Sequence, residues 1–187
     1  DNEKYNLARY LWTAKEPDMV EAVCAAMTDK DMAKCELLRY YHWSRNYAKG
    51  LPLANEVAGF PKFSKDAYWM KAEMLQWQEK YPEAISAYQS ADIPPQTLWR
   101  ITDCYLLMGK RDQALAQLQE IENFFPDSAA EAALRTAFIW RDAPDNKKYV
   151  GCLRGLMKKY PKSPQSSTVH QDLERLGVKM GGGEDAE

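Results

Sequence analysis

Leu98–Pro126 reads LWRITDCYLLMGKRDQALAQLQEIENFFP, and two helices with a turn between them are legible in it. Leu98, Ile101, Tyr105 and Met108 recur at steps of three and four, which places them on one helical face. Gly109 ends that helix, because a residue without a Cβ closes a helix in the left-handed conformation at no steric cost. Lys110-Arg111-Asp112 form a short polar turn. Ala114, Leu115, Leu118, Ile121 and Phe125 make the apolar stripe of a second helix, and Pro126 stops it. The stretch predicts a helical hairpin whose two stripes face each other.

The same phrase recurs on either side. Lys110–Ser128 (KRDQALAQLQEIENFFPDS), Lys147–Ser163 (KKYVGCLRGLMKKYPKS) and Lys80–Ala91 (KYPEAISAYQSA) each read as a helix with small or apolar residues inward. In the preceding unit Tyr68, Ala72, Leu75, Ala84, Tyr88 and Ala91 fall at equivalent places, with Lys80-Tyr81-Pro82-Glu83 as the turn and Glu79 where the glycine would stand. Ala84 and Ala114 are 30 residues apart, so the period shortens at Pro94-Pro95. The following unit runs from Ser128, which pairs with Glu131 as a capping box, to Pro161, 35 residues after Pro126. Ser163-Pro164 then open a last helix over Gln165–Leu176. Upstream, Met32–Asn46 with Leu51–Gly59 and Tyr5–Ala14 with Asp18–Met27 are two further hairpins, Asp18 and Glu21 serving as cap and partner.

A unit repeated in this way stacks into an array, and arrays hold other proteins more often than they do chemistry. The expected architecture is all-α: a right-handed superhelix of about five hairpins with a C-terminal capping helix. It forms one domain over residues 1–179, with weak repeats over 4–61, clearer ones over 65–161 and the cap over 165–176. Residues 180–187, glycine-rich and acidic, have nothing to bury and are expected to be disordered.

Composition narrows the function. The 187 residues carry 25 basic and 27 acidic side chains, spread evenly, for a net charge of −2. A nucleic-acid reader needs a basic stripe that displaces counterions from phosphates, so nucleic acid is not an expected partner. No apolar run approaches the roughly 20 residues that span a bilayer. The start at Asp1 fits either a removed secretory signal or a trimmed chain. Four cysteines and two distant histidines offer no paired spacing for a metal, and no cofactor motif accompanies the glycines. Cys24 and Cys35 flank the turn Thr28–Asp31 symmetrically; they read as small core residues, or as a disulfide if the chain is exported. No nucleophile stands with a base, and enzymatic activity is not expected.

Leu98, Ile101-Thr102, Tyr105, Gly109, Ala114, Leu118, Ile121 and Pro126 resemble the tetratricopeptide-repeat pattern of about 34 residues. Ile121 departs from it, standing where the pattern has alanine. The endings Phe125-Pro-Asp-Ser and Tyr160-Pro-Lys-Ser look like the bacterial cell-envelope branch of that family, of the Tol-Pal-associated and outer-membrane-assembly lipoprotein type. The resemblance implies a periplasmic or envelope location, with a cytoplasmic one as the alternative.

It also implies a concave groove, lined by the first helix of each hairpin, that takes a peptide or protein segment. Carried onto this chain, the groove residues are Asp66, Trp69, Glu73, Gln76 and Trp77 in one unit, and Gln96, Trp99, Asp103 and Leu106 in the next. Trp140 and Arg141, with Ala130, Ala133 and Ala137, follow; Lys34, Leu38, Tyr41 and His42 come from the weaker unit upstream. The tryptophans would supply affinity, and Glu73, Asp103 and Arg141 orientation. A reading frame shifted by one residue would instead turn Trp69 and Trp99 into the core. Two rival roles stay open: a self-associating subunit of a larger complex, or an accessory domain of an envelope enzyme or secretion system.

Overall fold

A computed structural model describes residues 1–14, 16–143 and 145–178. The chain divides into two compact units, one ending at Met108 and the other beginning at Gly109, where one domain over 1–179 was expected. The tail over 180–187 lies outside the described residues.

The first unit holds seven helices: α1 (Asn2–Ala14), α2 (Pro17–Ala25), α3 (Lys30–Trp43), α4 (Tyr47–Val57), α5 (Ser64–Trp77), α6 (Tyr81–Ala91) and α7 (Gln96–Leu107). Three apolar clusters follow one another along it. Leu11, Val20, Cys24, Tyr40 and Tyr41 join α1, α2 and α3. Cys35, Leu38, Ala54, Val57, Met70 and Met74 join α3, α4 and α5. Ala72, Leu75, Ala84, Tyr88, Ile101 and Cys104 join α5, α6 and α7. Alanines inside these clusters bring helix axes close, because a methyl group is all that separates the backbones. At Gly50 on α4 the approach is tight: a Cβ there would lie 2.7 Å from Met74 Sδ, and the Met74 side chain would have to shift.

The second unit consists of α8 (Arg111–Phe124), α9 (Pro126–Asp142), α10 (Asn146–Lys159) and α11 (Pro164–Arg175). Leu134, Ala137, Tyr149, Leu153, Leu156, Val169 and Leu173 form its core between α9, α10 and α11. No strand occurs among the described residues.

Helix ends account for most differences from the sequence reading. The proposed capping box at Ser128 and Glu131 lies inside α9, which already starts at Pro126 and has no side-chain cap. Proline at the first position presets φ and loses no hydrogen bond, so it starts the helix unaided. Asp18 likewise falls within the first turn of α2, and Glu21 bonds other helices instead. Helix α4 begins four residues earlier than the Leu51 read from sequence, because Asn46 caps it by accepting from Lys49 N. Pro52 is absorbed within it.

The turn after each of α3, α5 and α7 contains one left-handed residue: Arg45 (φ 56°), Glu79 (φ 60°) and Gly109 (φ 70°). These three positions fix the repeat register, with steps of 34 and then 30 residues.

Candidate functional site

Counting back from the left-handed residues puts Arg39, Glu73 and Asp103 at one equivalent place on α3, α5 and α7. His42, Gln76 and Leu106 share the next place, and Trp43, Trp77 and Leu107 the one after it. The three helices together make a face of the first unit, with a floor of paired charges and an apolar rim.

Glu73 is the centre of the floor. Its side chain is 15% exposed, His42 Nε2 lies 2.9 Å from one carboxylate oxygen, and Arg100 Nη2 lies 3.1 Å from the other. A carboxylate only accepts, so the His42 ring presents its Nε2 proton to it. Arg100 also stands over the Trp69 ring, 5.8 Å from its centroid. Further along, Arg39 donates to Asp66 at 3.0 Å and to Glu36, whose side chain is 1% exposed. Glu36 Oε2 has no hydrogen-bond partner in the protein. A carboxylate this deeply buried is held by its single arginine.

The predicted groove residues fall into distinct settings. Trp77 is exposed, with His42 at 4.8 Å, Tyr47 at 6.4 Å and the Arg45 guanidinium at 5.2 Å from its ring. Trp69 is half-buried against the α5–α6–α7 core, edge-on to Tyr88 at 5.3 Å. Gln76 accepts from the Tyr88 hydroxyl at 2.7 Å, and burial pushes that phenol's pKa up, with Glu73 adding to the effect. Trp99 and Asp103 are half-buried, while Asp66, Gln96 and Leu106 are exposed. Tyr41 is buried in the α1–α2–α3 core and donates to Glu21 Oε1 at 2.9 Å, so it lines no open face. Trp140 and Arg141 belong to the second unit. There Lys148 Nζ lies 4.0 Å from the Trp140 ring centroid, and Arg141 binds Asp142 at 3.0 Å.

Arg39, Arg100 and Trp43 were missing from the sequence reading. Trp43 occupies the Trp77 place one repeat earlier, but the arginine at position 45 concealed the turn that would have aligned it. All four cysteines are free. Cys24 and Cys35 sit in different clusters, and burial pushes both thiols up to about 11. Among the described residues no group of histidine, cysteine and acidic side chains is placed to hold a metal, and no helix is long and apolar enough to cross a membrane.

Residues 96–128, which take in α7 and α8, match the tetratricopeptide-repeat family model. Solved structures extend the likeness to nearly the whole chain. MamA is 11% identical with a TM-score of 0.61, over 97% of this chain and 100% of that one. The fold is that of the tetratricopeptide-repeat solenoids. A putative kinesin light chain of Podosopora anserina with nearly identical TPR-like repeats is 12% identical, TM-score 0.60, over 87% of this chain and 97% of that one. YrrB, a TPR protein with an unusual peptide-binding site, is 16% identical, TM-score 0.58, over 92% of this chain and 90% of that one. At such identities the likeness to these tetratricopeptide structures is one of fold. No curated protein sequence matches the chain.

Proposed function

We propose that the chain is a non-enzymatic protein-interaction module, and that the α3–α5–α7 face holds a peptide or protein segment. One observation carries the reading. Trp43, Trp77, Leu106 and Leu107 are all large, apolar and exposed at the same end of three neighbouring helices. A row of that kind left in water is the mark of an interaction surface. Glu36, Asp66 and Glu73 on α3 and α5 already have cations, so they brace the helices more than they attract a basic ligand. Affinity then comes from covering the rim, and orientation from the exposed part of Arg100.

Peptides selected from a displayed random library on the wild-type protein provide the test. They should bind a Trp43→Ala/Trp77→Ala variant about tenfold or more weakly, the loss expected when one aromatic hot spot is removed. Both rings are solvent-exposed, so the variant should melt close to wild type. Equal binding to both proteins would sink the reading. We extend the proposal to a bacterial-envelope location, supported by the two aromatic-Pro-x-Ser endings; fractionation of the native cells tests it, and recovery with the cytoplasm would refute it.

A further inference from the structure

The second unit presents a surface of another kind on α10. Its exposed stripe carries five cations, Lys147, Lys148, Arg154, Lys158 and Lys159, and the helix has no carboxylate at all, although the chain as a whole is net acidic. At the edges of the stripe Lys148 meets Asp145 at 3.6 Å and Lys159 meets Glu122 at 2.7 Å. Between the cations the stripe is bare. Gly151 and Gly155 are exposed, and a Cβ on either would meet nothing within 4 Å. Internal packing therefore does not require glycine there, and glycine weakens a helix interior. What the two glycines do provide is close access to the backbone.

Beside Gly155 opens a cavity of about 220 Å³ between α8, α9 and α10. Ala133, Cys152 and Leu156 give it apolar walls, and Thr136 also lines it. Glu122, Lys159 and Tyr160 form a polar edge, with the Tyr160 hydroxyl donating to Glu122 at 3.0 Å. The volume falls short of the roughly 300–1,000 Å³ of small-molecule sites. It suits one apolar side chain.

We infer that this face of α10 docks an acidic helical segment of a partner protein, whose carboxylates lie along the lysines and whose apolar side chain enters the cavity beside Gly155. Charge complementarity fixes the sign of the partner, and the glycines allow two helix backbones to approach. A nucleic-acid duplex or an anionic bilayer would use the cations but has no use for an apolar cavity the size of one side chain. The surface shares no residue with the α3–α5–α7 face, so either can fail without the other.

The probe is a fluorescein-labelled helical 14-mer with glutamates flanking a single leucine, followed by anisotropy at low and physiological salt. Saturable binding to wild type is expected, about tenfold weaker for Lys147→Glu/Lys158→Glu, as for loss of close charge pairs. Gly155→Met, which sets a bulky side chain at the edge of the cavity, should weaken binding to a similar extent while its melting temperature stays at or above wild type. The all-lysine counterpart of the peptide should not bind. Absence of saturable binding overturns the inference, as does equal binding to either variant. Tighter binding of a DNA duplex or a phosphatidylserine vesicle than of the peptide overturns it in favour of that other partner class.

Discussion

The α3–α5–α7 face and the α10 face use charge in opposite ways. On the first, Glu36, Asp66 and Glu73 each meet a cation from their own or a neighbouring helix, so charge is part of the fold. On the second, exposed cations line a single helix that has no carboxylate of its own, and its edge lysines Lys148 and Lys159 meet carboxylates from outside the helix. Where opposite charges brace neighbouring helices, removing one should unfold. Where like charges stand on a solvated stripe, removing one should leave stability alone and change only what binds.

Substitutions can break or sharpen that contrast. Arg39→Met should have the largest effect, because it strands the buried Glu36 carboxylate. A loss of about 3 kcal/mol in chemical denaturation is expected, the low end for breaking a buried pair because Arg39 is partly exposed. Adding Glu36→Leu should recover most of it, and failure to recover would mean that the pair is not the cause. Glu73→Ala should cost about 1–3 kcal/mol, since it leaves His42 and Arg100 facing each other with no acceptor. On α10 the signs differ. Gly151→Ala should stabilise by up to about 1 kcal/mol, and Lys147→Gln should stay within about 0.5 kcal/mol of wild type. A large loss at either position would erase the distinction between the two faces.

The smallest expected effect is one of pH. Hydrogen bonds from Lys49 and then Tyr41 hold the Glu21 carboxyl below its ordinary value of 4.5. A folded-state pKa below the unfolded one gives stability that is present above about 4.5 and lost as pH falls through the lower, folded value. The melting-temperature difference between wild type and Glu21→Gln should therefore shrink on acidification, and a constant difference would rule this linkage out.

Much of the fold was legible because its signals are local. Steps of three and four, Gly109 at a turn and the alanines at helix contacts all act within one hairpin. The bounds of α7 and α8, which needed only those, agree with the sequence to within a few residues. Helix starts were less legible, since a proline can begin a helix where a serine three residues later also looks like a cap. The site was partly legible. Exposed Trp77 follows from its place in the pattern, whereas Tyr41, at a neighbouring place one repeat earlier, is drawn into the core by Glu21 and the packing of α1 and α2. Ion pairs that join residues about 30 apart, such as His42 with Glu73 and Glu73 with Arg100, depend on how neighbouring helices are rotated, and no local periodicity reports that.

The left-handed turns carry one more consequence. Arg45 and Glu79 hold a conformation that side chains with a Cβ adopt at a cost of about 1 kcal/mol, while Gly109 holds it freely. The Arg45 guanidinium lies over Trp77. Glu79 is an exposed residue with no such stacking. Its replacement by glycine would release stability that the natural chain leaves untapped, and so furnish a hardier parent molecule on which surface libraries could be built with fewer casualties from misfolding.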